Sequence, residues 1–224
     1  MVRGAVGVES RFMASVYRWM TLGLLVTAGV AWFVAGSEAA RQAIFGNRIV
    51  FWGLIIAQFG LVIAISAAVT RLSAGVAGLL FIAYSALTGA TLASILLVYT
   101  GSSIASAFLV TAGTFAAMSV YGTVTKRDLA TWGTFLFMGL VGVVIASVVN
   151  IFLKSSMMQF VLSAAAVVVF TGLTAYDTQK LRRLAAAGGA GMAAAMPVNG
   201  ALMLYLDFIN IFLSLLNLFG GRRD

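Results

Sequence analysis

The chain has 224 residues, 62% of them hydrophobic and only 9% charged, with 14 Lys and Arg against 6 Asp and Glu. A soluble domain is roughly 45–50% apolar and ~25% charged, so these side chains cannot cover an ordinary water-facing surface, and a soluble fold is excluded. The chain has neither Cys nor His, which also excludes disulfides, thiolate metal centres, cysteine nucleophiles and the metal-binding, general-base and pH-switch chemistry of imidazole.

A helix needs ~20 mostly apolar residues to cross a ~30 Å hydrocarbon core. Dividing the chain at its charges gives seven such runs: 19–34, 49–69, 74–99, 104–124, 129–149, 157–176 and 201–219. A membrane barrel would show ~10-residue segments of alternating polarity, whereas these runs are continuously apolar and longer. A single Pro in the whole chain leaves the helices almost free of breakers. The expectation is an all-α integral membrane protein: one seven-helix transmembrane domain over residues 1–224, with short connections between antiparallel neighbours. The first run is short, and Phe33-Val34-Ala35-Gly36 is a passable cleavage context for a signal peptide. Eighteen residues carrying Arg3, Arg11 and Arg18 precede it, which is long for a leader, and a retained span is expected.

Lys and Arg in the flanks set the orientation. Arg3, Arg11, Arg18, Arg71, Lys126, Arg127, Lys180, Arg182 and Arg183 fall on one side; Arg41, Arg48, Lys154, Arg222 and Arg223 fall on the other. Nine against five predicts a cytoplasmic N-terminus and an external C-terminus, in a membrane such as the bacterial inner membrane. The net charge of +8 is then topology and contact with anionic lipid. No basic cluster interleaved with aromatics points to nucleic acid. Residues 185–195, Ala-Ala-Ala-Gly-Gly-Ala-Gly-Met-Ala-Ala-Ala, read as a mobile low-complexity connector before Met196-Pro197. The 24 glycines and many small residues of the spans fit close helix packing.

With six acids in the chain, each can be weighed. Asp224 is terminal, and Glu38 shares a loop with Arg41 and Arg48. Asp128 follows Lys126 and Arg127 as a candidate helix cap, and Glu9 lies on an amphipathic N-terminal stretch with Arg11. Asp177 and Asp207 differ from these. Asp177 closes the sixth run within Thr174-Ala-Tyr-Asp-Thr-Gln179, and Asp207 sits inside the seventh within Leu204-Tyr-Leu-Asp-Phe-Ile-Asn210. At 100° per residue, Asp207, Asn210, Ser214 and Asn217 form one stripe of the seventh helix. An acid and two amides cannot face lipid, so this stripe meets protein or water, as polar glue between helices or as the lining of a pore. Opposite chain directions bring Asp177 and Asp207 to the same cytoplasmic depth. Two carboxylates brought close in a low-dielectric site cannot both ionise freely, which gives a pH sensor in a chain without His. Their oxygens are also hard ligands suited to Ca²⁺, as transient metal contacts. Arg71, at the end of the second run, is a candidate counter-ion as well as a topology marker. Catalysis has little support. Tyr176-Asp177 superficially matches an intramembrane aspartyl protease, but Asp207 lacks the accompanying glycine motif, so no enzyme and no cofactor are expected.

Phe170-Thr-Gly-Leu-Thr-Ala-Tyr-Asp-Thr-Gln-Lys180, followed by Leu204-Tyr-Leu-Asp-Phe-Ile-Asn-Ile-Phe212 and Phe219-Gly220, resembles the paired signature of the Bax inhibitor-1 family, the transmembrane Bax-inhibitor-motif proteins. The span count, Glu9-Ser10 near the start and the length agree, so the resemblance covers nearly the whole chain. It implies a seven-helix bundle with the last helix central. It also implies a pH-sensitive Ca²⁺ leak in which Asp177 and Asp207 share a proton, and a latch to that pair at Arg71. Two features depart from the family pattern. Asn217 stands where many members have a basic residue, and the Gly/Ala connector is longer and less charged. The rival readings are a non-conducting membrane regulator that binds a protease or cell-death partner, and a proton-coupled cation antiporter. The expected partners are the lipid bilayer, calcium and protons, with the oligomeric state open.

Overall fold

The computed structural model describes residues 2–188 and 193–223. Among them lie eight helices and no strand: α1 (Val2–Gly36), α2 (Glu38–Phe45), α3 (Arg48–Ala67), α4 (Ala74–Val98), α5 (Gly101–Val124), α6 (Ala130–Leu153), α7 (Ser156–Gly188) and α8 (Met196–Phe219). All but α2 are long and apolar enough to cross a membrane. The all-helical fold with seven candidate spans is therefore as the apolar runs predict.

The helices are separated by capping residues rather than by proline. Ser37, Asn47, Ser73 and Thr100 sit in extended backbone, and their side-chain oxygens accept N–H groups of the first turns of α2, α3, α4 and α5, meeting donors that a helix start leaves orphaned. Ser37 and Glu38, placed at the positive end of the helix dipole, turn what reads as a plain loop into α2. Pro197 is the second residue of α8, where its missing N–H is harmless. Residues 185–188 of the Gly/Ala stretch continue α7, 193–195 are non-helical, and 189–192, where the connector reading is centred, lie outside the described residues.

The described residues form two compact units. The first holds α1 to α4 together with the end of α7 and α8 as far as Tyr205. Small residues bring α1 and α4 together in it. A Cβ on Gly89 would lie 2.5 Å from the Thr27 carbonyl oxygen, and one on Gly78 would lie 2.6 Å from the Trp19 ring. The Thr27 hydroxyl donates to the Ser85 carbonyl (2.9 Å) and shares a 2.6 Å hydrogen bond with the Tyr205 hydroxyl. Phe81 and Tyr84 meet the Tyr205 ring edge-on at 5.7 Å, a favoured aromatic geometry.

The second unit holds α5, α6, α7 up to Leu184 and α8 from Leu206. Phe208 lies between Phe108 and Phe115, with centroids 5.5 and 5.6 Å away. Gly122 of α5 lets the backbone of Ala175 in α7 approach to where a Cβ would stand, and Gly133 of α6 receives the Tyr176 ring. The end of α5 and the α5–α6 connection are tied to α7 by side chains on the two turns beyond Asp177. Gln179 accepts the buried Leu129 N–H through Oε1 and donates from Nε2 to the Arg127 carbonyl, both at 2.9 Å. Arg182 donates to the Thr123 carbonyl, and Arg183 pairs with Asp128 at 2.6 Å. Asp128 also accepts the Ala130 N–H (2.9 Å), which is the capping role its position suggests. That N–H, and after it the Arg183 guanidinium, hold the Asp128 carboxyl below the ordinary carboxylate range.

Burial is greatest in α8, followed by α4, whereas α6 is exposed along most of its length and buries Gly133. This is as expected of the helix that carries the polar stripe. The large exposed side chains of α3 and α6, among them Ile49, Trp52, Phe135 and Phe152, are apolar, as a lipid-facing surface requires.

Four outcomes follow from this packing. Gly122→Ala should lower thermal stability in detergent by ~1–3 kcal/mol through overpacking against Ala175. Gly113→Ala, which meets open space, should be neutral or slightly stabilising on helix propensity. Gln179→Ala strands the Leu129 N–H and should cost about 1–3 kcal/mol in the same melting assay. The folded-state pKa of Asp128 is depressed, so its contribution is present above the ordinary carboxylate pKa of ~4 and disappears as pH falls through the folded value. Asp128→Ala should therefore melt below wild type at neutral pH and match it in strong acid.

Candidate functional site

The second unit carries both acids singled out by the sequence. On α7, Thr174 and Thr178 are fully buried, with Ala175, Asp177 and Gln179 nearly so. Asp177 is 8% exposed and Asp207, on α8, 3%. Asp207 lies within the electrostatic reach of Asp177, and Lys180, one turn beyond Asp177, acts on Asp177. Asp207 Oδ2 has no hydrogen-bond partner among the described residues. Like charges sharing a dry site repel, so the charge of this pair depends on the protons it holds. The ties from Gln179, Arg182 and Arg183 fix the helix turn directly after Asp177, and the Gly122–Ala175 contact fixes the turn before it. Asp177 thus stands on a stiffly held stretch of α7.

Among the described residues, no group of three or more His, Cys, Asp or Glu side chains is placed to hold a metal ion. Two carboxyl groups alone make a thin oxygen set beside the 6–8 ligands of a dedicated Ca²⁺ site.

The polar stripe of α8 extends from this pair. Asn210 donates from Nδ2 to the Leu206 carbonyl at 2.8 Å. Ser214 is buried, and Asn217 is exposed with its Oδ1 accepting Gln159 Nε2 at 3.5 Å. These three line a cavity of ≈ 500 Å³ with residues of α6 and α7. Sequence reasoning found the α8 wall of this cavity but missed the facing polar groups, Ser147 and Asn150 of α6 and Gln159 and Ser163 of α7. The signal was weak: single hydroxyls are common in spans, and Asn150 and Gln159 sit near helix ends where polar residues are ordinary. Gln179 was also legible only as part of a motif, with no hint of its double bond to the α5–α6 connection.

Arg71 lies exposed in the α3–α4 connection, its backbone N–H on the Ala68 carbonyl at 2.8 Å. It belongs to the first unit, whereas both acids belong to the second. Glu9 is partly buried in the first third of α1.

Comparison with known proteins bears on this arrangement. The chain matches the family described as "Inhibitor of apoptosis-promoting Bax1" over residues 9–224. It is 53% identical to the inner membrane protein YbhL of Escherichia coli K12 over 226 residues, covering all of this chain and 96% of that protein. An uncharacterized protein of Deinococcus radiodurans is 48% identical, with 95% of this chain and 91% of the relative covered. One of Borreliella burgdorferi is 45% identical, with 97% and 94% covered. With seven membrane-length helices and relatives matched nearly end to end, the chain is an integral membrane protein and belongs to the Bax inhibitor-1 family.

Proposed function

We propose that the protein is a pH-sensitive calcium leak of a bacterial inner membrane, gated by protonation of the Asp177–Asp207 pair. The observation that carries this reading is the pair itself: two buried carboxyl groups on membrane-length helices, Asp207 within reach of the Asp177 charge and one of its oxygens without a partner among the described residues. In the closed state at neutral pH the pair holds a proton between its oxygens and keeps α7 and α8 together. A change in its protonation removes that bond, lets α8 move and opens a path along its polar face. Ca²⁺ passes down its gradient, touching the Asp177 and Asp207 oxygens as hard, transient ligands. For Arg71 the support is the family pattern alone, which has a basic latch at that position.

The membrane assignment draws on the E. coli relative, an inner membrane protein by name. The orientation, N-terminus in the cytoplasm and C-terminus outside, draws on the nine-to-five split of basic residues. It puts the pair on the cytoplasmic side of the apolar runs 157–176 and 201–219.

The test is reconstitution in liposomes with an enclosed calcium dye, over about pH 5 to 8. Wild type should show several-fold modulation of flux. Asp207→Asn, which cannot ionise, should flatten the profile to within about twofold. Equal profiles for wild type and Asp207→Asn at every pH would remove the pair from the mechanism. Flux that requires an opposing proton gradient would point to an antiporter. A stoichiometric partner with no flux at all would point to a non-conducting regulator.

A further inference from the structure

The ≈ 500 Å³ cavity of the second unit holds polar groups that the acid pair does not use. Amide and hydroxyl groups facing hydrocarbon are expensive. Asn150 accepts the Ser155 N–H and Gln159 donates to Asn217, but Ser163, Asn210 and Ser214 bring further polar groups to the same cavity, which suits water or a polar guest. The volume admits roughly 15 water molecules at ~30 Å³ each. None of the lining side chains is charged. Asn210 spends its amide N–H on Leu206, and its carbonyl oxygen is what remains to offer. Neutral oxygens of this kind can replace part of a cation's hydration shell without trapping the ion.

The cavity ends in a definite place. On α8 its lining reaches Asn210, three residues or ~4.5 Å along the axis from Asp207. On α7 it stops at Phe170, which is 8% exposed and lies seven residues, ~10 Å, before Asp177. Along one face α7 therefore runs Gln159, Ser163, Ala166, Phe170, Thr174, Asp177: polar, then aromatic, then polar again. Thr174, past the ring, is fully buried.

We propose that this cavity is a water-filled vestibule for a hydrated cation and that Phe170 is the apolar floor separating it from the acid pair. A ring at the base of a wet cavity closes by excluding water, as hydrophobic constrictions do. The nature of the ion rests on the leak reading above; the vestibule and its floor rest on the cavity alone.

The absence of native Cys gives a clean labelling test in full-length protein in sealed vesicles of known orientation. A cationic, membrane-impermeant methanethiosulfonate is added to the face that carries the α6–α7 connection. Ser163→Cys and Ser214→Cys should react at least about tenfold faster than Val168→Cys, whose position is 71% exposed on the apolar outside. Thr174→Cys should be protected while Phe170 is present and should gain about tenfold in rate with Phe170→Ala, or with Phe170→Leu if the alanine variant does not fold. Positions 163 and 214 reacting as slowly as 168 would overturn the vestibule. Position 174 reacting as fast as 163 with Phe170 intact would overturn the floor. Labelling as predicted, with no calcium flux from any variant, would keep the vestibule and discard the leak.

Discussion

A carboxyl group taken out of water must find a proton, a counter-charge or another polar group, and inside a membrane-length helix bundle the choices are few. Asp207 meets this constraint in its sharpest form. It is 3% exposed, one of its oxygens has no partner among the described residues, and its charged neighbour is a second acid. The surroundings follow from accommodating it. The helix bearing Asp207 is the most buried of the seven spans, its remaining polar side chains lie on the same stripe, and Asp177 sits on a stretch of α7 that is held from both sides.

That holding uses two kinds of interaction with different physical origins. Before Asp177, Gly122 removes a side chain so that α5 and α7 backbones touch, the close approach by which membrane helices gain dispersion contacts where the hydrophobic effect cannot help. After Asp177, Gln179 takes both a donor and an acceptor of the α5–α6 connection, and two arginines add contacts on the next turn. A helix pinned in this way moves as a unit with its neighbours. On the proposed reading, a change in the acid pair is then transmitted to α8 more readily than absorbed within α7.

Most of the architecture was legible because the bilayer imposes it. Continuous apolar runs can only be helices there, so the seven spans could be read from the positions of the charges. The ends were less legible. α1 and α7 continue well past their apolar runs, since a helix that has begun propagates at little expense through Ala, Arg and Leu. The short α2 arose from a Ser-Glu start too brief to show a period. At the site, Asp177 and Asp207 stood out because acids are scarce, and the α8 stripe because four polar residues shared one angle. The α6 and α7 walls of the cavity did not stand out. Ser147, Asn150, Gln159 and Ser163 become one polar surface only when three helices are placed side by side, and no spacing within one helix encodes that.

The central claim is that Asp177 and Asp207 act as one proton-holding unit within the membrane-spanning helices. Infrared difference spectroscopy of the reconstituted protein between acidic and alkaline pH reads protonated carboxyl groups directly through their carbonyl stretch. Because the two groups interact, their titration should be a property of the pair. The account predicts a buried carboxyl band in wild type whose titration is altered by Asp177→Asn and by Asp207→Asn alike, with either substitution changing the signal of the acid that remains. A band from each acid that titrates identically with and without its neighbour would contradict it.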